Sequence, residues 1–156
     1  MHQQSLSELK TQFEQIDGVT FVERVAGLPE IQIDNRFCEA TISLQGGQVL
    51  SYTQKADGRD LLFCSRNAYF EKGKGIKGGA PICWPWFGDH PDGLGAHGFA
   101  RKTLWQVDQI TADECGVTEV TLYTNTTPET ERDWPYQAKL STTISLGKWL
   151  SINLST

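Results

Sequence analysis

Short runs in which apolar and polar residues alternate recur along most of this chain, and they restrict its fold more than any other feature. Residues 19–25, 39–44 and 48–54 alternate in this way, and Gly46 and Gly47 mark a tight turn between the last two runs. Because successive side chains of a strand point to opposite faces, each run predicts a strand with one buried face. Similar runs predict strands at 31–33, 60–64, 103–110 and 117–125, and a hairpin at 136–156 that turns at Gly147 and Lys148. The pattern predicts an all-β fold built as a β-sandwich.

One helix is predicted ahead of the strands, at residues 5–17. Its apolar residues recur at spacings of three and four and form one stripe: Leu6, Leu9, Phe13 and Ile16. Ser5 and Glu8 fit a capping box at the start of this helix, and Gly18 fits its end. We therefore predict a helical extension at 1–18 and a sandwich domain at 19–156.

Composition excludes several classes of protein. The net charge of -5 argues against a nucleic-acid partner, which needs a clustered basic surface. The chain has no apolar run long enough for a membrane span, and its first residues lack the apolar segment of a signal peptide. We expect a cytoplasmic protein.

The thiols and histidines do not predict a metal site. The four cysteines are Cys38, Cys64, Cys83 and Cys115. Their spacing contains no C-x-x-C pair, and His90 in its Asp-His-Pro-Asp turn has no diagnostic partners. We predict reduced thiols and no metal. Cys83 is interpreted as a buried, inert thiol rather than a nucleophile.

The strand pattern breaks between residues 66 and 101, where glycines, prolines and aromatic residues cluster. A long loop inside a compact domain is more often functional than idle. Sugar sites need flat apolar walls and a few polar groups aimed at hydroxyls. The candidates for walls are Trp84, Trp86 and Phe87.

Polar residues in the same loop suggest how a phosphorylated sugar would be held. Lys77 and Arg101 supply charges for a phosphate, His97 supplies a hydrogen bond to a ring oxygen or hydroxyl, and Gly78 permits close backbone approach. Any one of these loop residues also has a purely structural interpretation. His97 could be a core histidine that stabilises the loop, and one of the two tryptophans Trp84 and Trp86 could pack in the core.

Two motifs in this loop carry a family resemblance. The run KGGAPICWPWFG, followed by AHGFARKTLW, resembles the aldose 1-epimerase-like family, in particular its glucose-6-phosphate (hexose-6-phosphate) 1-epimerase branch. The segments GGQVLSY and DLLFCS resemble early strands of that family. The resemblance covers roughly residues 19–156, and the two motifs at this separation are more specific than either alone.

The resemblance implies a galactose-mutarotase-like β-supersandwich, present here as its N-terminal part. It implies interconversion of the α and β anomers of a hexose 6-phosphate by acid–base ring opening and closure, without a cofactor. The family's acid His and base Glu lie in a later half, so the resemblance places no catalytic residue within this chain and both of them beyond Thr156. In the resemblance, His97 and Arg101 match binding residues of the family, and Lys77 stands at its arginine position. With the residues chosen above for their chemistry, the predicted substrate-binding set is Lys77, Gly78, Trp86, Phe87, His97 and Arg101. The chain alone is therefore expected to be inactive.

Lys77 departs from the family pattern, which has arginine before the glycine pair. A bidentate phosphate contact then becomes a single charged one, and phosphate preference weakens.

Two other functions fit the same sequence. A carbohydrate-binding module also displays aromatic residues on a β-sandwich and needs no acid–base pair, and a regulatory relative would bind a sugar phosphate without turnover. The last residues still alternate up to Thr156, which predicts a fragment of a longer protein that self-associates through an exposed strand edge.

Overall fold

The computed structural model describes residues 3–65 and 67–156, and their fold is almost entirely β-structure. The helix α1 spans Leu6–Phe13. The strands are β1 (Val19–Val25), β2 (Leu28–Asp34), β3 (Cys38–Ser43), β4 (Gln48–Gln54), β5 (Gln106–Ala112), β6 (Thr118–Asn125), β7 (Lys139–Leu146) and β8 (Leu150–Ser155). The first two residues of the predicted extension, and Arg66 at the start of the predicted loop, lie outside the described residues.

The strands form two antiparallel four-stranded sheets, each in chain order: β1-β2-β3-β4 and β5-β6-β7-β8. The predicted bounds of β1 and β4 are confirmed. Buried residues of both sheets belong to one hydrophobic core, in which Trp105 and Tyr52 are fully buried. Polar contacts also join the sheets, since the Tyr52 hydroxyl donates a hydrogen bond to the Gly147 carbonyl at 2.6 Å. The all-β sandwich predicted from alternation is confirmed.

Helix α1 begins with the predicted capping box. The Glu8 amide donates to Ser5 Oγ at 3.3 Å, and the Ser5 amide donates to Glu8 Oε2 at 2.7 Å. The helix ends at Phe13 rather than at the predicted residue 17, since the Ile16 amide bonds to the Phe13 carbonyl at 3.0 Å in a tighter turn. The Glu14 carboxylate accepts a hydrogen bond from the Phe21 amide at 2.7 Å. Among the described residues, no helix is long and apolar enough to cross a membrane.

The strand predicted at 60–64 is wrong. Asp60 forms only an isolated antiparallel bridge, with Thr53 of β4, and its Oδ1 accepts hydrogen bonds from the amides of Tyr52 and Leu62, at 3.0 and 2.9 Å. The pairing with β4 does not continue into a strand. As a result Phe63 is 82% exposed instead of buried. The segment is a connection that begins the long loop.

The strand predicted at 103–110 begins later, at Gln106. Residues just before it pair across to the first sheet: Leu104 bridges Gln45, and the Trp105 amide donates to the Leu44 carbonyl at 2.8 Å. The connection between β4 and β5, residues 55–105, is thus anchored at both ends. It carries all the residues predicted to bind substrate.

Candidate functional site

The first part of the site is the loop that carries Lys77. The Lys77 side chain is exposed, while its neighbour Ile76 is 3% exposed and anchors the loop in the core. Gly78 forms a bridge with Cys64, and a Cβ atom at Gly78 would come within 2.7 Å of the Cys64 Cα. The lack of a side chain at Gly78 therefore lets its backbone pack closely against Cys64. Burial of the Cys64 thiol raises its pKa.

The second part is a loop closed between Trp84 and Gly98. Residues 84 and 98 form a bridge, and a Cβ atom at Gly98 would lie only 2.0 Å from the Trp84 carbonyl oxygen. Gly98 also has a φ of 66°, so this position demands glycine for both space and backbone conformation. The Phe99 and Ala100 amides donate to the same Trp84 carbonyl, at 3.1 and 3.2 Å. These contacts fix the backbone on which His97 stands.

His97 is held in an unusual conformation. Its φ is 65°, a left-handed value that a non-glycine residue adopts at a cost, and such strain clusters at functional sites. The Gly88 amide donates to His97 Nδ1 at 3.1 Å, and the His97 amide donates to the Gly88 carbonyl at 2.8 Å. Because Nδ1 accepts a hydrogen bond, the neutral ring carries its proton on Nε2. His97 is therefore set up as a hydrogen-bond donor at Nε2.

Arg101 links the two loops. Its Nη2 donates to the Ala96 carbonyl at 3.0 Å, next to His97. Its side chain also lies against Gly75, where a Cβ atom would come within 3.2 Å of Arg101 Cδ. Arg101 Nε is buried and has no hydrogen-bond partner within the described part of the chain. The guanidinium thus reaches from the loop of His97 to a point two residues before Lys77.

The aromatic residues of the site differ in exposure. Phe87 is 82% exposed and contacts the His97 ring, with ring centroids 4.9 Å apart. Trp86 is half-buried, donates from Nε1 to the Gly95 carbonyl at 3.1 Å and packs edge-on against His90. Trp84 packs against the core and against Trp134, so it belongs with the structure rather than with an open wall.

The charges near Lys77 are partly neutralised. Lys74 pairs with Glu71 at 3.1 Å, and this hydrogen bond lowers the pKa of the Glu71 carboxyl. Neither Lys77 nor Arg101 makes an ion pair with another described residue. These two cations are therefore available to an anionic ligand.

A cavity of about 560 Å³ lies where β5 begins and β6 ends. Its walls include Gln106, Tyr123 and Arg132, and none of the six predicted binding residues lines it. Binding sites need polar groups as well as volume, and Lys77 and Arg101, two cations that pair with no described acidic residue, lie on the two loops and not in this cavity. The candidate site is an open surface formed by those loops. No metal-ligating cluster of three or more His, Cys, Asp or Glu side chains occurs in the described ranges.

Sequence reasoning missed Gln45 and Gln48. Both side chains are buried and both bond to the backbone of the loop that carries Lys77. The available signal was the QGGQ run, which places an amide on each side of a turn between two strands with apolar faces.

Solved structures with the same fold define the class of protein. The crystal structure of "a putative mutarotase" from Salmonella typhimurium superposes with a TM-score of 0.81 at 31% identity, over 87% of this chain and 45% of that one. A galactose mutarotase-like protein from Lactobacillus casei ATCC 334 gives a TM-score of 0.63 at 23% identity, over 80% of this chain and 42% of that one. The fold is that of the galactose mutarotase-like β-sandwiches.

The family follows from the sequence comparisons. The model of the aldose 1-epimerase family matches residues 29–155, and the chain belongs to that family. A relative from Escherichia coli K12, named "Putative glucose-6-phosphate 1-epimerase", is 36% identical over 142 residues, which are 90% of this chain and 48% of the relative. The chain therefore spans about half the length of the curated relatives that it matches. The resemblance drawn from the two loop motifs is confirmed.

Proposed function

We propose that this chain is the sugar-phosphate-holding half of a hexose-6-phosphate 1-epimerase that interconverts α and β anomers. The observation that carries the proposal is the position of Arg101, whose side chain contacts both Gly75 and the Ala96 carbonyl. It thereby unites the loop of Lys77 with the loop of His97. The names of the matched relatives agree with this substrate class.

In this proposal Lys77 and Arg101 hold the phosphate. Arg101 Nε lies buried beneath Gly75, so Nη1 and the second N–H of Nη2 are the donors that meet phosphate oxygens. Lys77 contributes a mobile point charge from the exposed side of the loop. The phosphate anchors one end of the sugar while the reacting carbon remains free to rotate.

His97, Phe87 and Trp86 orient the sugar. His97 donates from Nε2 to a ring oxygen or hydroxyl, because its Nδ1 is already bonded to the Gly88 amide. The exposed Phe87 ring, which is packed against His97, offers an apolar face to the sugar's C–H groups, with Trp86 beside it. Gly78 contributes indirectly, because its lack of a side chain lets the backbone after Lys77 pack against Cys64.

The proton transfers are assigned to groups outside residues 1–156. Ring opening needs a general acid at the ring oxygen and a general base at the anomeric hydroxyl, with pKa values suited to neutral pH. His97 is assigned to orientation, and the acid His and base Glu are placed beyond Thr156. The 156-residue chain then binds without turnover. Since its substrates are charged phosphosugars, we expect the enzyme to act in the cytoplasm.

Replacing Arg101 tests the phosphate role. Arg101→Ala is expected to weaken binding of glucose 6-phosphate about tenfold or more, because a charge-assisted contact is lost. Binding of glucose should change little, and isothermal titration with both sugars measures the difference. Arg59→Ala is the matched control, since Arg59 is an exposed arginine paired with Asp57. Equal losses for the two sugars would refute a phosphate role for Arg101.

A further inference from the structure

Two glutamines flank the Gly46-Gly47 turn between β3 and β4, and both are buried. Gln45 is 1% exposed and Gln48 is 0% exposed. A buried amide is costly unless its donors and acceptor are hydrogen-bonded, so the partners of these side chains indicate what they do.

Gln45 clamps the start of the loop that carries Lys77. Its Nε2 donates to the carbonyls of Glu71 and Lys74, at 3.0 and 2.8 Å. Its Oε1 accepts a hydrogen bond from the Gly73 amide at 2.8 Å. One side chain therefore fixes three backbone groups within four residues of the loop.

Gln48 clamps the loop on both sides of Lys77. Its Nε2 donates to the Ile76 carbonyl at 3.3 Å and also to the Gly78 carbonyl. The carbonyl groups of the residues before and after Lys77 are thus bonded to the same nitrogen.

The Gln48 side chain makes its two donor contacts while its own acceptor stays unpaired within the described chain, which costs free energy of folding. Gln48 Oε1 is buried without a hydrogen-bond partner among the described residues. An apolar side chain of similar length would remove this unpaired acceptor, but the Ile76 and Gly78 carbonyls would then lose the donor that Gln48 supplies. The amide nitrogen is the group that an apolar side chain would lack at this position, and it bonds to the carbonyls of Ile76 and Gly78, on either side of Lys77.

We propose that Gln45 and Gln48 are positioning residues that hold the loop of residues 71–78 and thereby fix where the Lys77 ammonium meets the ligand. The proposal deepens the proposed function and rests on it for the identity of the ligand. A cation placed by a rigid loop binds an anion more tightly than one that must first be ordered, because the ordering entropy is already lost.

The test uses Gln48→Met and Gln45→Met, which keep length and remove the amide. Gln54→Met is the matched control, because Gln54 lies on the same strand β4 and its amide bonds instead to the Lys148 carbonyl. Hydrogen exchange should become faster at the loop amides in the first two variants, including that of Gly73 in Gln45→Met. The control should leave these amides unchanged. Unchanged exchange in the first two variants would overturn the proposal.

Binding then separates positioning from general loss of structure. Gln48→Met should weaken binding of glucose 6-phosphate about tenfold while affecting glucose much less. In a Lys77→Ala background the same substitution should have no further effect on phosphate preference, because it acts through Lys77. An equal loss for both sugars, or an undiminished effect in the Lys77→Ala background, would overturn the proposal. If the parent protein binds neither sugar, the proposed function has failed, and the exchange data alone decide whether the glutamines hold the loop.

Discussion

At the scale of single residues, small differences in side-chain size set the geometry of the proposed phosphate-binding surface. Gly75 is the clearest case, since a Cβ atom there would lie 3.2 Å from Arg101 Cδ and 3.3 Å from its Cζ and Nε. Its backbone is not in the left-handed region, so an alanine would face no conformational strain. Gly75 is needed for the space beside the Arg101 guanidinium.

Gly75→Ala should therefore displace the Arg101 guanidinium by a few tenths of an ångström or more. We expect the affinity for glucose 6-phosphate to fall about tenfold with little change in the midpoint of thermal unfolding, since misplacing a binding group is costly. Gly147→Ala is the control, because that glycine also lacks a positive φ and its added Cβ would meet Val117 instead. Titration calorimetry and thermal denaturation check both variants. A Gly75→Ala protein that binds as tightly as the parent would contradict this account of Arg101.

The sequence could predict which residue types form the proposed site, but not how those residues are held. Lys77 and Arg101 are marked by their motifs, and the structure joins their loops through Gly75. The support from Gln45 and Gln48 depends on contacts between residues 26 to 30 positions apart, and no local pattern encodes such contacts. For the same reason the unusual φ of His97 could not be anticipated.

At the scale of elements, strand prediction succeeded where alternation continues and failed where a side chain redirects the chain. The strands β1 and β4 and the β7–β8 hairpin form where alternation predicts them, and Ile144 pairs with Ile152 across that hairpin. The run at 60–64 has the apolar composition of a buried strand, yet the Asp60 carboxylate forms a turn there. The turn at Asp60 therefore replaces the strand that the apolar run 60–64 predicts.

Strand β8 supports a prediction about association. Among the described residues it pairs with β7 only, and its side chains Ile152 and Leu154 are 38% and 48% exposed. An unpaired edge with exposed apolar residues invites pairing with another chain. We expect the 156-residue chain to associate as its concentration rises, measured by light scattering or sedimentation.

Lysine at the edge should reduce this association. Leu154→Lys adds a charge to the edge strand, and Leu61→Lys, at an exposed leucine outside the strands, is the control. The expectation fails if the parent chain remains a monodisperse monomer at high concentration, or if both variants reduce association equally.

At the scale of the whole molecule, the sandwich acts as a platform for one long connection. The two sheets share a core and are tied by contacts such as those of the Asn35 amide, which donates to Thr118 Oγ1 at 3.0 Å and to the Leu146 carbonyl at 2.8 Å. Residues 55–105 cross from one sheet to the other and present the cations and aromatic residues on their loops. In our account this platform holds a phosphosugar, and the groups that move protons lie outside residues 1–156.

Exchange spectroscopy on the anomers of glucose 6-phosphate tests this account most directly. The full-length protein containing these residues should accelerate exchange between the α and β anomers in proportion to its concentration, and Arg101→Ala should reduce that acceleration. The 156-residue chain should bind glucose 6-phosphate and leave the exchange rate at its value in buffer. A full-length protein that gives a rate no faster than buffer would contradict the account, and binding without acceleration would instead indicate a sugar-phosphate-binding module.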